Sequence, residues 1–186
     1  MDSPNEFEET ERELLELVGQ YDALVYAAVK QGRVAELPRE GQILAKVIQE
    51  HLGLPHVHNA LEFADVRGGE PYEVDGVSPM AHLRMHAAVE GMLDGGNADV
   101  KAAYEKLLAT GIEGHHAVHI VGAIFMEYYF DAAKEMERGD ASGKAERTFT
   151  RSLRRLCTDS SYRRKMARRF SEQHGFAKPR DEEDTP

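Results

Sequence analysis

Apolar residues recur every three or four positions along most of this chain, and this spacing restricts what the chain can fold into. Side chains three or four residues apart lie on one face of an α-helix, whereas the residues of a strand alternate between two faces. No alternating stretch of useful length occurs. We therefore predict an all-α protein, a helical bundle with a four-helix-like core and peripheral helices at both ends.

Glycines, prolines and capping residues predict where the helices begin and end. The first amphipathic stretch runs from Leu14 to Val29 and is closed by Gly32. Ser78 followed by Pro79 is a strong start signal, because serine caps a helix and proline suits its first turn. That helix is expected to stop at Gly95. The other predicted helices are 38–52, 55–63, 98–109, 115–139, 144–157 and 159–173, and residues 65–77 are predicted to form a loop.

The length of 186 residues suits one domain with flanking tails. We predict an acidic N-terminal tail over residues 1–12 and a single helical domain over residues 13–173. Residues 174–186 are polar and cannot bury enough apolar surface to order, so they are predicted to be a disordered tail.

The charge balance and the single cysteine restrict the class of partner and the cellular compartment of the protein. A formal net charge of −10 disfavours nucleic acid as a partner, because phosphate binding needs clustered Lys and Arg. No apolar run is long enough to cross a bilayer, and the acidic N-terminus lacks the pattern of a signal peptide. Cys157 is the only cysteine, so it has no intrachain disulfide partner and is expected to pack as a small hydrophobe. These features predict a soluble, cytoplasmic protein.

Charge is distributed unevenly along the chain. Residues 147–169 are rich in arginine and lysine, whereas residues 2–16 are rich in acidic residues. The two segments can face each other or face solvent, or the basic segment can form a surface for a partner. Both interpretations stay open at this point.

Histidines are concentrated in the middle of the chain, where eight of the nine lie between residues 51 and 119. His82 and His86 are four residues apart on one predicted helix, so their side chains share a face about 6 Å apart and both can reach one metal ion. His115 and His119 repeat this spacing on another helix. Two such pairs on facing helices would bring four imidazoles into one core, and burying them without partners would cost about 1–3 kcal/mol each.

Carboxylates and a fifth histidine complete the predicted set of metal ligands. Glu90 is turned about 80° from His82 on the same helix, where it can reach a second ion or support a histidine. The predicted ligands are His58, His82, His86, Glu90, His115, His119 and Glu127. This inventory resembles the dinuclear non-haem iron sites of hemerythrin-type bundles, which implies iron, with one or two ions. Zinc or nickel is the alternative, and a mononuclear centre of three histidines, as in metal-dependent transferases with a helical bundle, fits the same pattern.

The remaining histidines are weaker candidates. His116 is turned about 100° from His115 and faces elsewhere. His56 lies two residues from His58 and can replace it as a ligand, and His51 and His174 are expected at the surface. A hydrogen-bonded cluster of histidine and glutamate that lines a pocket, without metal, is the structural alternative for the whole set.

Four runs of the sequence carry a resemblance to a known family. They are LPHVHNALE, SPMAHLRMHAAVE, HHAVHIVGAIFMEYYFDAAK and RSLRRL. Together they resemble an uncharacterised bacterial family, the domain of unknown function numbered 1841, from near Ile43 to Leu156. The chain departs from the family's acidic residues at His116, Val118 and Ala123. The resemblance implies a metal-site core over about 43–156 and no particular activity, and the polar positions that it matches are His58, His82, His86, Glu90, His115, His119 and Glu127.

Two classes of function follow from these patterns. The first is a metal-binding helical protein that serves O₂ or redox sensing or metal-dependent chemistry, with a small molecule such as O₂ as its partner. The alternative is a non-catalytic interaction protein whose histidines are structural and whose arginine-rich C-terminal helices bind a partner. Enzymatic activity and the oligomeric state stay open, and an apolar, aromatic face over residues 125–130 suits core packing or contact with a second copy.

Overall fold

A computed structural model of the protein describes residues 6–62, 72–74, 76 and 78–174, with the side chains of 6–16 and 170–174 outside the description. These residues form eight α-helices, one short 3₁₀ helix and no β-strand, so the prediction of an all-α protein is confirmed. The 3₁₀ helix is Val34–Glu36. The α-helices are α1 (Glu6–Lys30), α2 (Arg39–His51), α3 (Pro55–Glu62), α4 (Pro79–Asp94), α5 (Ala98–Ala109), α6 (Gly114–Glu137), α7 (Lys144–Thr158) and α8 (Ser160–His174).

Most helix boundaries lie within one or two residues of their predicted positions, and the largest difference is at the start of α1. This helix begins at Glu6, whereas the apolar pattern predicts a start at Leu14, so it includes half of the predicted acidic tail. Glutamate is a good helix former, and it extends the helix without contributing to the apolar stripe. The predicted tail beyond residue 174 and most of the predicted loop 65–77 lie outside the described residues.

Two compact units make up the chain, where the sequence predicts a single helical domain over 13–173. The first unit is Met1–Ala87 and the second is Ala88–Pro186, and α4 contributes residues to both. Each unit has its own cluster of buried apolar side chains.

The first unit is built around the contact between α1 and α2. Gly41 makes this contact close, because a Cβ atom at this position would lie 2.9 Å from the Tyr21 hydroxyl and 3.1 Å from the Leu37 Cβ atom. A side chain at Gly41 would force these neighbours apart. The buried residues of this core are Val25, Tyr26, Leu37, Leu44, Ala45, Val47, Ile48, Val57, Leu61 and Leu83.

The second unit contains a four-helix core formed by α5, α6, α7 and α8. Helix α6 contacts α5, α7 and α8, and α7 also contacts α5 and α8. Leu107, Leu153 and Leu156 are fully buried between these helices, and each burial contributes roughly 1.5–3 kcal/mol. The predicted four-helix-like core therefore corresponds to this unit.

Hydropathy along the helices bears on membrane insertion. None of the described helices combines the length and the apolar content that crossing a bilayer requires.

Candidate metal centre

His51 is the last residue of α2 and one of the most deeply buried polar residues of the first unit. The buried face of this helix carries Leu44, Val47 and Ile48, and His51 follows at the same spacing of three and four. Its exposed fraction is only 2%, so the prediction that His51 lies at the surface is wrong. The physical reason is that the apolar stripe of α2 continues to its last residue. That spacing from Leu44 onward is the signal that identifies His51 as a core position.

One hydrogen bond defines which nitrogen of His51 carries the proton. The Nδ1 atom lies 2.7 Å from the backbone carbonyl oxygen of Val47. A carbonyl oxygen only accepts, so Nδ1 must be the N–H donor. In the neutral ring the lone pair then belongs to Nε2, and this atom is buried. His51 therefore directs an acceptor nitrogen into the interior.

The start of α4 determines the orientation of His82 and His86. The Ser78 hydroxyl accepts a hydrogen bond from the Ala81 backbone N–H at 3.3 Å, as the predicted cap requires. Leu83 is fully buried and anchors this turn in the apolar core. His82 precedes Leu83 and His86 lies one turn further along α4, and the two rings stack with centroids 4.7 Å apart and planes 19° apart. The two rings thus share one face of α4, as their spacing predicts.

His51, His82 and His86 form a compact group of imidazoles. The ring of His51 lies edge-on to both of the others, with centroid distances of 5.4 Å to His82 and 4.6 Å to His86. One ring nitrogen from each residue lies within 4.8 Å of the corresponding nitrogens of the other two. His86 is buried and His82 is half-buried. Two helices therefore bring three possible nitrogen ligands to one point.

The separation of the nitrogens is compatible with one shared metal ion. Zinc binds imidazole nitrogen at about 2.0–2.1 Å, which places two tetrahedral ligands roughly 3.4 Å apart. The nitrogens of the group lie within 4.8 Å of one another, so they must approach by at most about 1.4 Å, a shift that rotation of the rings can supply. All three ligands are imidazoles, a donor that suits zinc, iron, nickel and copper.

The second histidine pair lies on α6, in the second unit. The Nε2 atoms of His115 and His119 are 3.1 Å apart, and the ring centroids are 4.7 Å apart. His119 is buried, whereas His115 is half-buried. The predicted pairing of these two side chains is therefore present. The two histidine pairs belong to different units, and their convergence on one centre stays a prediction.

The other predicted ligands have surface or intermediate positions. His58 is exposed on α3. Glu127 is exposed, and its carboxylate lies 3.7 Å from Arg169 in an ion pair. Glu90 is half-buried on α4, one turn beyond His86. The structure thus gives Glu127 a surface partner, and the convergent group of the first unit does not include His58.

The weaker candidates for metal binding are His116, His56 and Cys157. His116 Nε2 lies 3.7 Å from the Glu113 carboxylate, so this ring faces Glu113 and is not part of the pair formed by His115 and His119. His56 is half-buried on α3. Cys157 is half-buried against the core of the second unit, and its burial raises the pKa of its thiol. A protonated thiol is a poor metal ligand, which agrees with its prediction as a small hydrophobe.

Two polar contacts join helices of the first unit. Arg84 of α4 forms an ion pair with the buried Asp22 of α1. Burial raises the pKa of Asp22, and the charge and hydrogen bond of Arg84 oppose this change only in part. The Tyr26 hydroxyl donates to Glu62 at 2.6 Å. Burial, this hydrogen bond and the charge of Glu62 raise the pKa of Tyr26 to about 12.

Several arginines of the C-terminal helices are engaged within the second unit. Arg154 lies 3.1 Å from Asp99, and Arg155 lies 3.1 Å from Asp159. Arg163 is buried and donates to the backbone carbonyl of Leu156 at 2.6 Å. These three arginines therefore have partners within the unit, and the binding of a partner by the C-terminal helices stays a prediction.

Comparisons with known proteins assign no function to the histidine group, so its geometry is the basis for interpreting it. No family model matches the chain, no curated protein matches it, and no solved structure matches it. The resemblance to the family numbered 1841 and to hemerythrin-type sites accordingly stays an expectation from the sequence.

Proposed function

We propose that His51, His82 and His86 bind one divalent transition-metal ion. The observation that carries the proposal is the hydrogen bond from His51 Nδ1 to the Val47 carbonyl, which leaves the lone pair on the buried Nε2. Histidines that bind metal usually donate their second N–H to a carbonyl or carboxylate, which orients the ring and fixes the tautomer. His51 has this arrangement at the point where two further imidazoles approach within 4.8 Å.

The role that we propose is O₂ or redox sensing or metal-dependent chemistry. Structural zinc sites are closed by four protein ligands, whereas reactive sites keep a coordination position open. A set of three imidazoles leaves such a position for a small molecule such as O₂. The ion would then supply Lewis acidity or redox chemistry, while the helices hold the imidazoles in place.

Iron is the ion that we propose first, with zinc or nickel as the alternative. Imidazole is a ligand for all three, and a carboxylate beside the histidines favours iron. Glu90 is the candidate carboxylate, because it follows His86 by one turn on α4. In the two-ion form of the proposal, His115 and His119 hold the second ion.

Metal analysis of protein made without a histidine tag tests the proposal. We expect near-stoichiometric metal in the wild-type protein by inductively coupled plasma mass spectrometry. His51→Ala and His86→Ala should each weaken metal binding at least about tenfold and lower the metal retained after dialysis, because the loss even of a residue that only supports a ligand costs this much in metal affinity. Absorption spectra recorded with and without O₂ then distinguish iron from zinc.

His58→Ala is the matched control, because His58 is an exposed histidine of the same unit. This variant should keep its metal. Metal-free wild-type protein that takes up no Fe²⁺, Zn²⁺ or Ni²⁺ would contradict the proposal and favour a structural histidine cluster. Equal loss of metal in His58→Ala and His51→Ala would contradict the assignment of ligands.

A further inference from the structure

Helix α1 carries apolar side chains on two of its faces. One face is buried in the core of the first unit, through Val25 and Tyr26. The other face carries Leu17, Tyr21 and Leu24, whose exposed fractions are 61%, 37% and 56%. Single apolar residues at a surface are ordinary, whereas three in one row on a helix form a contiguous stripe of the kind that marks an interaction surface.

The spacing of this stripe is typical of a helix that packs against a second helix. Leu17, Tyr21 and Leu24 are followed by the half-buried Ala28, so the steps along the chain are four, three and four residues. Alternating steps of this kind keep one narrow seam on the helix surface, here over roughly 16 Å from Leu17 to Ala28. The order four, three, four is the same in both directions along the helix. The stripe can therefore match a copy of itself that runs antiparallel.

The charge along α1 is complementary to itself in the same orientation. Residues 6–16 contain six glutamates and one arginine, whereas residues 27–33 contain Lys30 and Arg33 and no acidic residue. Lys30 and Arg33 pair with glutamates of their own chain, but their side chains are 51% and 58% exposed, so each can also approach a carboxylate of another molecule. Parallel copies would place glutamates beside glutamates, whereas antiparallel copies place them beside the basic end.

We propose that α1 is a dimerisation helix, whose exposed stripe of Leu17, Tyr21, Leu24 and Ala28 packs against the same stripe of a second, antiparallel copy. Tyr21 of one copy then lies opposite Leu24 of the other, and Leu17 lies opposite Ala28. A twofold axis repeats each contact, because the same patch serves both copies. The proposal does not rest on the metal centre, since the stripe and the imidazole group have no residue in common.

Sedimentation equilibrium of the full chain tests the association. Between about 1 and 100 μM chain, we expect the mass to rise toward twice the chain mass of 20.8 kDa and no further. Leu24→Glu should raise the Kd of the dimer at least about a hundredfold, because the twofold axis places two charges in the apolar contact. Leu54→Glu is the matched control, since Leu54 is a leucine of the same unit that lies outside α1 and is 40% exposed. This variant should dimerise as the wild type does.

Disulfide formation between copies tests the antiparallel orientation. In a Cys157→Ser background, Leu17→Cys and Ala28→Cys are made as separate variants and then mixed. Positions 17 and 28 of different copies are neighbours in the proposed dimer, so the mixture should form a covalent dimer under mild oxidation. Position 17 lies roughly 16 Å along the axis from its own counterpart, beyond the Cα separation of about 7 Å that a disulfide can span. Each variant alone should therefore stay uncrosslinked.

Four results would overturn the proposal. They are the mass of one chain at every concentration, growth beyond two copies, equal effects of Leu24→Glu and Leu54→Glu, and a covalent dimer of Leu17→Cys alone. Growth beyond two copies requires two different contact surfaces, whereas a twofold contact closes after two copies. Circular dichroism verifies that each variant folds, and Leu17→Lys replaces Leu24→Glu if the latter does not.

Discussion

The Nε2 atoms of His115 and His119 lie 3.1 Å apart on α6. At this distance one ring can donate its N–H to the lone pair of the other. The same distance is close to that between two nitrogens bound to one ion, roughly 3.0–3.4 Å for metal–nitrogen bonds near 2.1 Å. The pair is thus suited to hold either a proton or a metal ion.

We predict that this pair is a metal ligand. His119→Gln should lower the metal content of the protein, because it removes one of two preoriented imidazoles. His116→Ala is the control, since His116 turns toward Glu113 instead. The measurement is metal per protein by mass spectrometry after dialysis. Unchanged metal content in His119→Gln would assign the pair to a hydrogen-bonded structural role.

Bound metal should stabilise the folded protein. A ligand that binds only the native state at about 100 times its Kd adds about 2.7 kcal/mol to the free energy of unfolding. For a chain of this size that gain corresponds to an increase in Tm of roughly 5–10 °C. Thermal unfolding followed by circular dichroism, with Fe²⁺ or Zn²⁺ and with a chelator, measures it. The Tm of His51→Ala should respond to metal less than that of the wild type, whereas that of His58→Ala should respond as the wild type does.

Burial of Asp22 makes the stability of the protein depend on pH, and Arg84 opposes this effect only in part. The pKa of Asp22 is raised above its ordinary value of 3.8, so the folded state holds this proton more tightly than the unfolded state does. The favourable contribution of Asp22 is therefore complete below that value and is lost as the pH rises through the raised pKa. Relative to Asp22→Asn, the wild type should lose stability as the pH rises above the ordinary value of 3.8 and through the raised pKa.

Arg84→Met should increase the loss of stability that accompanies ionisation of Asp22. The variant keeps an apolar stem but removes the charge that opposes the rise in the pKa of Asp22. We expect a destabilisation of roughly 1–3 kcal/mol near pH 6, less than for a fully buried pair because Arg84 is partly exposed. Near pH 3 the loss should be smaller, since Asp22 is then protonated. Urea unfolding at both pH values provides the test, and equal destabilisation at the two would contradict it.

Tyr26 should be among the last tyrosines to ionise. Its pKa is raised to about 12, so the folded state keeps this proton after an unfolded chain would lose it near the ordinary value of 10.0. The stability contributed by Tyr26 is complete below 10.0 and is lost as the pH rises toward 12. Ultraviolet titration of tyrosinate should show a late step that Tyr26→Phe removes. In Glu62→Gln the step should move to lower pH, because the negative charge of Glu62 is lost; a late step that persists in Tyr26→Phe would contradict the assignment.

Helix boundaries could be predicted from the sequence because they depend on neighbouring residues. Ser78 caps α4 through a hydrogen bond to a residue three positions away, and Asn97 accepts from the Val100 N–H in the same way. Gly139 follows the last turn of α6 with a φ of 64°, a conformation that glycine adopts without strain. The start of α1 at Glu6 was harder to predict, because its first turns lack the apolar spacing that marks a helix.

The members of the site could be predicted only in part. The spacing of four fixes His82 with His86, and His115 with His119, as neighbours on their own helices. His51 was missed because it packs against His82 and His86, which are distant in the sequence, although its spacing from Leu44 was visible. Glu127 lies two helical turns beyond His119, about 12 Å along the axis, so its place among the ligands stays a prediction.

His51 ends α2, and this position has an electrostatic consequence. The last backbone carbonyls of a helix point their oxygens beyond its C-terminus, and together they act as roughly half a negative charge. A metal ion held at His51 would lie near that end of α2, where this charge favours a cation by about 0.3–1 kcal/mol. The backbone of α2 thus favours a bound cation, in addition to any contribution from the imidazole side chains.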